Sequence, residues 1–97
     1  MKLRFTRRAI QDLNDIADYI RQRNPQGARR VRTAILETLQ TLVLFPLIGR
    51  RQTTEGVRKL VIRRYPYLAY YAIDEASEEI VRLTIQHAAR LREHPDA

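Results

Sequence analysis

Apolar positions recur along this chain at two periods, and the switch between them divides it in two. In the first half the spacing is helical. Ala9, Ile10, Leu13, Ile16, Ala17 and Ile20 fall along one stripe, the pattern of a helix with one face on a core. Thr6 stands where a capping hydroxyl belongs, and the helix is expected to end near Asn24. Asn24-Pro25 then restarts it, because Asn caps and Pro suits the first helical position. Ala28, Val31, Ile35, Leu39 and Leu42 form the second stripe. Leu36, Val43 and Leu44 widen it, which predicts deeper burial toward the C-terminal end. Pro46 stops it, lacking an N–H and restricting the residue before it. A link this short between two helices predicts an antiparallel hairpin.

The rest reads as strands. Residues 2–5 alternate polar and apolar, predicting a short strand with Leu3 and Phe5 inward. After a polar loop from Gly49 to Gly56 come residues 57–62, residues 67–73 beyond a turn at Tyr65-Pro66, and residues 80–86 beyond an acidic turn. On strict alternation Leu60 and Ile62 share a face with Arg58. Likewise Val81, Leu83 and Ile85 share one face, and Arg82, Thr84 and Gln86 the other. Tyr70 and Tyr71 point to opposite faces, so at most one is expected fully in the core. The fold class is therefore α+β: an N-terminal strand, an antiparallel two-helix hairpin, then a three-stranded antiparallel meander, in the order β-α-α-β-β-β. The hairpin covers one sheet face and leaves the other without a helix. Arg63, Arg64 and Arg82 are expected to make that uncovered side positive.

Composition adds bounds rather than elements. Ninety-seven residues form one domain, 1–97, with the residues from about 91 expected to fray. The net charge of +7 is uneven: residues 47–67 hold Arg50, Arg51, Arg58, Lys59, Arg63 and Arg64 against Glu55 alone. Such a block attracts a polyanion or an acidic protein partner. The chain has no cysteine and two histidines, so no metal ligand set is recognisable and no cofactor is expected. Its apolar stretches, residues 42–45 among them, are too short to cross a bilayer. No membrane association and a cytoplasmic location are expected.

Several residues carry candidate chemistry, each with a plainer reading. Arg58 is either a structural arginine bonded to loop carbonyls at the strand entrance or a phosphate clamp. Arg63, Arg64 and Arg82 are exposed contacts or simple solvated charge. His87 follows core parity and is equally a satisfied structural histidine or a working acid or base. Arg90 belongs to a tail whose plain reading is solvation.

The order of these segments resembles the ParE/RelE toxin superfamily, and more closely its ParE branch. The resemblance rests on RRAIQDLNDIADYI (residues 7–20), NPQGARRV (24–31), LFPLIGR (44–50), GVRKLVIRRYPYLAYYAI (56–73) and IVRLTIQHAAR (80–90). No one of these is specific; their order and spacing together are. The resemblance implies a growth-inhibiting toxin of a type II toxin–antitoxin system of the plasmid- or stress-maintenance kind. It also implies a cognate antitoxin, with an acidic toxin-binding segment and a DNA-binding domain through which alone the toxin meets operator DNA. ParE-like members poison DNA gyrase with no hydrolytic site known, and the target-binding candidates are then Arg63, Arg64, Tyr65, Arg82 and Arg90. RelE-like members cut messenger RNA on the ribosome, and that alternative would use Arg58, Arg63 and Arg82 as phosphate clamps with His87 as acid or base. Glu55 is a poorly placed base. The sequence departs from the ribonuclease pattern twice: residues 87–90 read His-Ala-Ala-Arg without a tyrosine, and residues 49–56 hold no lysine. Gyrase inhibition therefore ranks first, the ribosome-dependent endonuclease second, and a stand-alone nucleic-acid-binding module third.

Overall fold

Capping chemistry sets where the helices begin. In the computed structural model, which describes residues 1–89, the elements run β1 (Lys2–Leu3), α1 (Arg7–Arg21), α2 (Pro25–Leu44), β2 (Arg50–Arg51), β3 (Val57–Val61), β4 (Tyr67–Asp74) and β5 (Glu79–His87). The candidate Arg90 and the tail expected to fray lie outside the described residues. The Ala9 N–H donates to the Thr6 hydroxyl at 3.1 Å, and the Gly27 N–H donates to the Asn24 side chain at 3.0 Å. Each supplies a free helix-end donor with an acceptor. Pro25 opens α2, and α2 ends at Leu44, ahead of Pro46.

The stripes bury largely as their spacing dictates. Ala28, Val31, Ile35, Leu39 and Leu42 of α2 are buried, as is Ala9 of α1, with Leu13, Ile16 and Ile20 packed against them. Three expectations fail. Ile10 is 49% exposed, Leu36 37% and Leu44 72%. Each lies one or two residue rotations off its stripe, and at about 100° per residue that turns the side chain to solvent. The stripe itself does bury more deeply toward the end of α2, from Ala28 and Val31 to Leu39 and Leu42, but it is not widened by Leu36 or Leu44.

The sheet has five strands in the order β1-β5-β4-β3-β2. β3, β4 and β5 form the antiparallel meander, and β1 lies parallel to β5 through Lys2↔Glu79 and Leu3↔Ile80. Leu3 packs on the core, but Phe5 lies past the strand and is 45% exposed, not inward. The loop after Gly49 contains an unforeseen strand, β2, which pairs Arg50↔Lys59 and Arg51↔Arg58. Gly56, at φ 80°, takes the left-handed conformation needed where the chain turns into β3. At the far end of the hairpin Asp74 accepts from the N–H groups of Ala76 and Ser77, closing the turn into β5.

One irregularity rewrites the face assignment of β5. The register runs Tyr70↔Thr84 and then Ala72↔Val81, so Arg82 and Leu83 together stand opposite Tyr71. Arg82 occupies the left-handed region at φ 54°. This β-bulge inserts one residue and flips the parity before it. Ile80, Leu83 and Ile85 join the core, and Val81, which strict alternation places there, does not.

On the helix side Tyr67, Ala69, Tyr71, Ile80, Leu83 and Ile85 meet Val31, Ile35, Leu39, Leu42 and Ile62. The Ile85 N–H, on the edge of β5 beyond β1, donates to Asp12 Oδ2 at 3.0 Å, while Arg8 Nε holds Asp12 Oδ1 at 3.1 Å. A carboxylate from α1 thus satisfies a strand donor that has no neighbouring strand.

Candidate functional site

Arg58 makes bonds to loop carbonyls at the strand entrance. It stands opposite Tyr71 on the helix side, and its Nη1 donates to the carbonyls of Gly49 at 2.8 Å and Leu47 at 3.2 Å. Tyr71 completes the same clamp: its hydroxyl donates to the Pro46 carbonyl at 2.8 Å and accepts from the Gly49 N–H at 2.9 Å. The segment leaving α2 is thereby tied to the sheet. Burial pushes the Tyr71 phenol up, partly offset by the Gly49 hydrogen bond and the Arg58 charge. Both bonds come from Nη1, one of the three guanidinium nitrogens.

His87 is also engaged. It lies opposite Tyr67 with the two rings edge to face, 5.3 Å between centroids, and its Nδ1 accepts from the Ala89 N–H at 3.0 Å. An accepting Nδ1 places the proton of the neutral ring on Nε2. His87 sits at the end of the sheet near the β3–β4 turn, where the Ala88 N–H donates to the Pro66 carbonyl. Arg82 lies five residues back along β5, roughly 16 Å of strand. Its guanidinium reaches instead toward Gly56, where a Cβ in place of the glycine hydrogen would lie 3.7 Å from Arg82 Nη2. Glu55 is exposed in the turn before β3. The proposed nuclease set is divided along the sheet: Arg63 and His87 lie at the β3–β4 turn, while Arg58 and Arg82 flank Tyr71 from β3 and β5.

Arg63, Arg64 and Tyr65 are placed differently from expectation. They form the β3–β4 turn, and their side chains line a groove of about 650 Å³ against the outer flank of α2. Arg29, Arg30, Thr33, Glu37 and Thr41 form the other wall. The turn holds Arg64 at φ 74°, a left-handed conformation uncommon for a residue with a side chain. Sequence reasoning alone misses Arg29 and Arg30. A signal for them exists: residues 29–30, 33, 37 and 41 recur at helical spacing as a polar stripe on the flank of an amphipathic helix.

The sheet face away from the helices carries Arg50 and Lys59. Arg50, Lys59, Tyr70 and Thr84 form one row across β2, β3, β4 and β5, with Arg50 directly opposite Lys59. Like charges set opposite each other in a sheet repel. Tyr70 is buried here at 5% exposure against 1% for Tyr71, and of the two only Tyr71 joins the core shared with the helices, as their opposite faces imply. The Tyr70 hydroxyl has no hydrogen-bond partner among the described residues, and burial pushes its phenol up.

At the end of α2 and just past it the chain exposes Leu44, Phe45, Leu47 and Ile48, each between 49% and 72% accessible. Contiguous exposed apolar side chains of this size mark surfaces that bind other proteins. Among the described residues no group of three or more His, Cys, Asp and Glu could hold a metal, and no helix is long and apolar enough to cross a membrane.

Comparison with known proteins agrees with this geometry. Residues 3–92 match the family described as the ParE toxin of the type II toxin–antitoxin system parDE. The chain is 38% identical over 87 residues to a Caulobacter vibrioides protein named toxin RelE2, covering 90% of this chain and 94% of that one. It is 33% identical over 87 residues to Y4kP of Sinorhizobium fredii, provisionally named a toxin, covering 90% and 88%. A solved structure described as the chromosomal ParDE TA system from P. aeruginosa superposes with a TM-score of 0.78 at 31% identity, covering 90% of this chain and 95% of the matched one.

Proposed function

Because the chain belongs to the ParE toxin family of type II toxin–antitoxin systems, we propose that it arrests growth by binding DNA gyrase in the cytoplasm rather than by cutting RNA. The observation that carries this reading is the division of the polar groups a nuclease would need between separate parts of the sheet. Arg58 is bound to the Leu47 and Gly49 carbonyls, His87 Nδ1 accepts from Ala89, and Arg82 and Arg63 lie on different parts of the surface. General acid–base cleavage needs a base, a phosphate clamp and an acid within hydrogen-bond reach of one phosphodiester. Inhibition by binding needs only well-placed contacts, which the exposed Arg63, Arg64 and Arg82 offer beside the half-buried Tyr65, with Arg90 as a further candidate.

The same reading gives the toxin a cognate antitoxin. The exposed apolar run from Leu44 to Ile48 and the basic surface together suit a segment that orders on binding, apolar in part and acidic in part. Operator DNA would be met through the antitoxin's DNA-binding domain. A second reading, ribosome-dependent messenger RNA cleavage, draws on the identity to the protein named RelE2. Purified toxin assayed for inhibition of gyrase supercoiling and for cleavage on programmed ribosomes separates the two. Inhibition without cleavage is expected; supercoiling untouched at excess toxin would overturn the first reading.

A further inference from the structure

The groove between α2 and the β3–β4 turn is lined by charge that has no ionic partner inside the molecule. Arg29 and Arg30 stand on the α2 wall and Arg63 and Arg64 on the turn, all four exposed. None makes a salt bridge among the described residues, whose ion pairs are Arg8–Asp12 and Arg21–Asp18. Guanidiniums gathered on two walls of one cleft repel one another, and their planar donor forks match phosphate or carboxylate oxygens. The turn also holds Arg64 at φ 74°, a conformation that costs a residue with a side chain and that glycine takes freely. Among the described residues of the lining, Glu37 is the single acid, so the cleft keeps a clear positive excess.

The kind of anion follows from what else the groove offers. A bound peptide gains affinity from main-chain hydrogen bonds at a sheet edge or from apolar anchors set into an apolar groove. Here the main chain is already spent. The α2 wall lies within the helix, whose N–H and C=O groups pair with one another. At the turn the Tyr65 N–H donates to the Ile62 carbonyl and the Tyr67 N–H to the Tyr65 carbonyl. Apolar lining is limited to Ala34 and the half-buried Tyr65. The Thr38 and Thr41 hydroxyls donate to the carbonyls of Ala34 and Glu37, which leaves the guanidiniums as the principal donors. Side-chain cations without main-chain or apolar support suit a nucleic-acid backbone, whose phosphates are met chiefly by such groups and without reading the bases. A duplex also brings its charges already in place, one per about 1.7 Å of axis, with no chain left to order.

We propose that this groove binds the phosphate backbone of duplex DNA, without regard to base sequence, through Arg29, Arg30, Arg63 and Arg64. Resting on the gyrase reading, the inference makes the DNA that gyrase holds a second contact of the toxin, beside the enzyme itself.

The test uses the whole chain without gyrase, with short fluorescent duplexes of unrelated sequence titrated at several salt concentrations. The logarithm of the binding constant falls against that of salt with a slope of about −0.9 for each phosphate neutralised. Four arginines on four phosphates give a slope of about −3.6, or about a 150-fold loss between about 50 and about 200 mM salt. Arg29→Ala/Arg64→Gly should halve the slope, leaving about a tenfold loss over the same range. Alanine favours the helix at 29 and glycine suits the turn at 64, so melting should not drop and the lost binding is not unfolding. Lys2→Ala/Arg7→Ala, which removes equal charge elsewhere, should keep the parent slope. Equal slopes in the two double variants would overturn the groove assignment, as would duplex binding too weak to detect at the lowest salt. A polyglutamate peptide that binds more tightly than the duplexes, with the same loss at Arg29 and Arg64, would assign the groove to an acidic protein segment instead. Supercoiling inhibition is scored separately. A chain that inhibits gyrase but ignores bare duplex sinks the groove inference alone, and one that grips duplex through the groove without inhibiting gyrase sinks the gyrase reading alone.

Discussion

Tyr70 and Tyr71 are neighbours on β4, both buried, and face opposite sides of the sheet. On the helix side the Tyr71 hydroxyl both donates and accepts, joining Pro46 and Gly49 to the sheet beside the Arg58 guanidinium. On the other side the Tyr70 hydroxyl has no partner among the described residues, and its row holds Arg50 opposite Lys59. Satisfied polar groups rigidify a fold, and unsatisfied ones cost it stability. The helix side is thus organised for folding. The other side carries a buried hydroxyl without a partner among the described residues and a pair of like charges set opposite each other.

The sharpest way to break this contrast is at Gly49. A Cβ there would lie 2.5 Å from the Tyr71 hydroxyl oxygen and 2.7 Å from its Cε1, closer than real contacts permit. Gly49→Ala must therefore push the ring or the loop aside, with loss of the hydrogen bonds between them. Overpacking of this kind costs about 1–3 kcal/mol, and the broken buried hydrogen bond adds to it. Urea denaturation should show it as the largest stability loss among these substitutions, and a midpoint unchanged from the parent would mean that the clamp is loose.

Tyr71→Phe is milder and more specific. It keeps the ring but leaves the Gly49 N–H and the Pro46 carbonyl without their partner, at about 1–3 kcal/mol for the buried groups stranded. The same clamp shows how much is legible in the sequence. The helix stripes can be read because a core-facing helix writes its period directly into apolar positions, and Arg58 can be read by its parity with Leu60 and Ile62. The partner carbonyls of Arg58 cannot, since backbone oxygens leave no mark in sequence. The bulge at Arg82 is hidden because no glycine stands where the left-handed residue falls, so alternation through Val81 points to the wrong face. Two arginines carry no strand signal, which conceals β2. Arg63 and Arg64 lie at the surface as their position in the sequence suggests, but a turn can aim them at either layer, and only the three-dimensional path sets them against α2.

Alkaline pH probes both sides of β4 at once. Burial raises the phenols of Tyr67, Tyr70 and Tyr71 above the ordinary 10.0. Above pH 10.0 the unfolded chain releases these protons more readily than the folded one, so unfolding gains free energy as pH rises. The stabilising contribution is complete below the unfolded value and disappears as pH climbs through the raised folded values. Denaturation midpoints should be insensitive to these groups near neutrality and fall beyond pH 10.0, more shallowly in Tyr71→Phe, which has one fewer buried phenol. An identical alkaline slope in parent and variant would exclude Tyr71 as a contributor.

The smallest effect is the most discriminating. Tyr70→Phe removes a buried hydroxyl that the described fold does not pair, so it releases a desolvation penalty without stranding a partner. The expected change in stability is between zero and about 1 kcal/mol, in the stabilising direction, against a clear loss for Tyr71→Phe. Paired melts of the two variants therefore measure the asymmetry of β4 with the ring, strand and substitution held constant. A loss at Tyr70 equal to that at Tyr71 would show that its hydroxyl is bonded in the folded chain, and the uncovered face would then be as internally satisfied as the covered one.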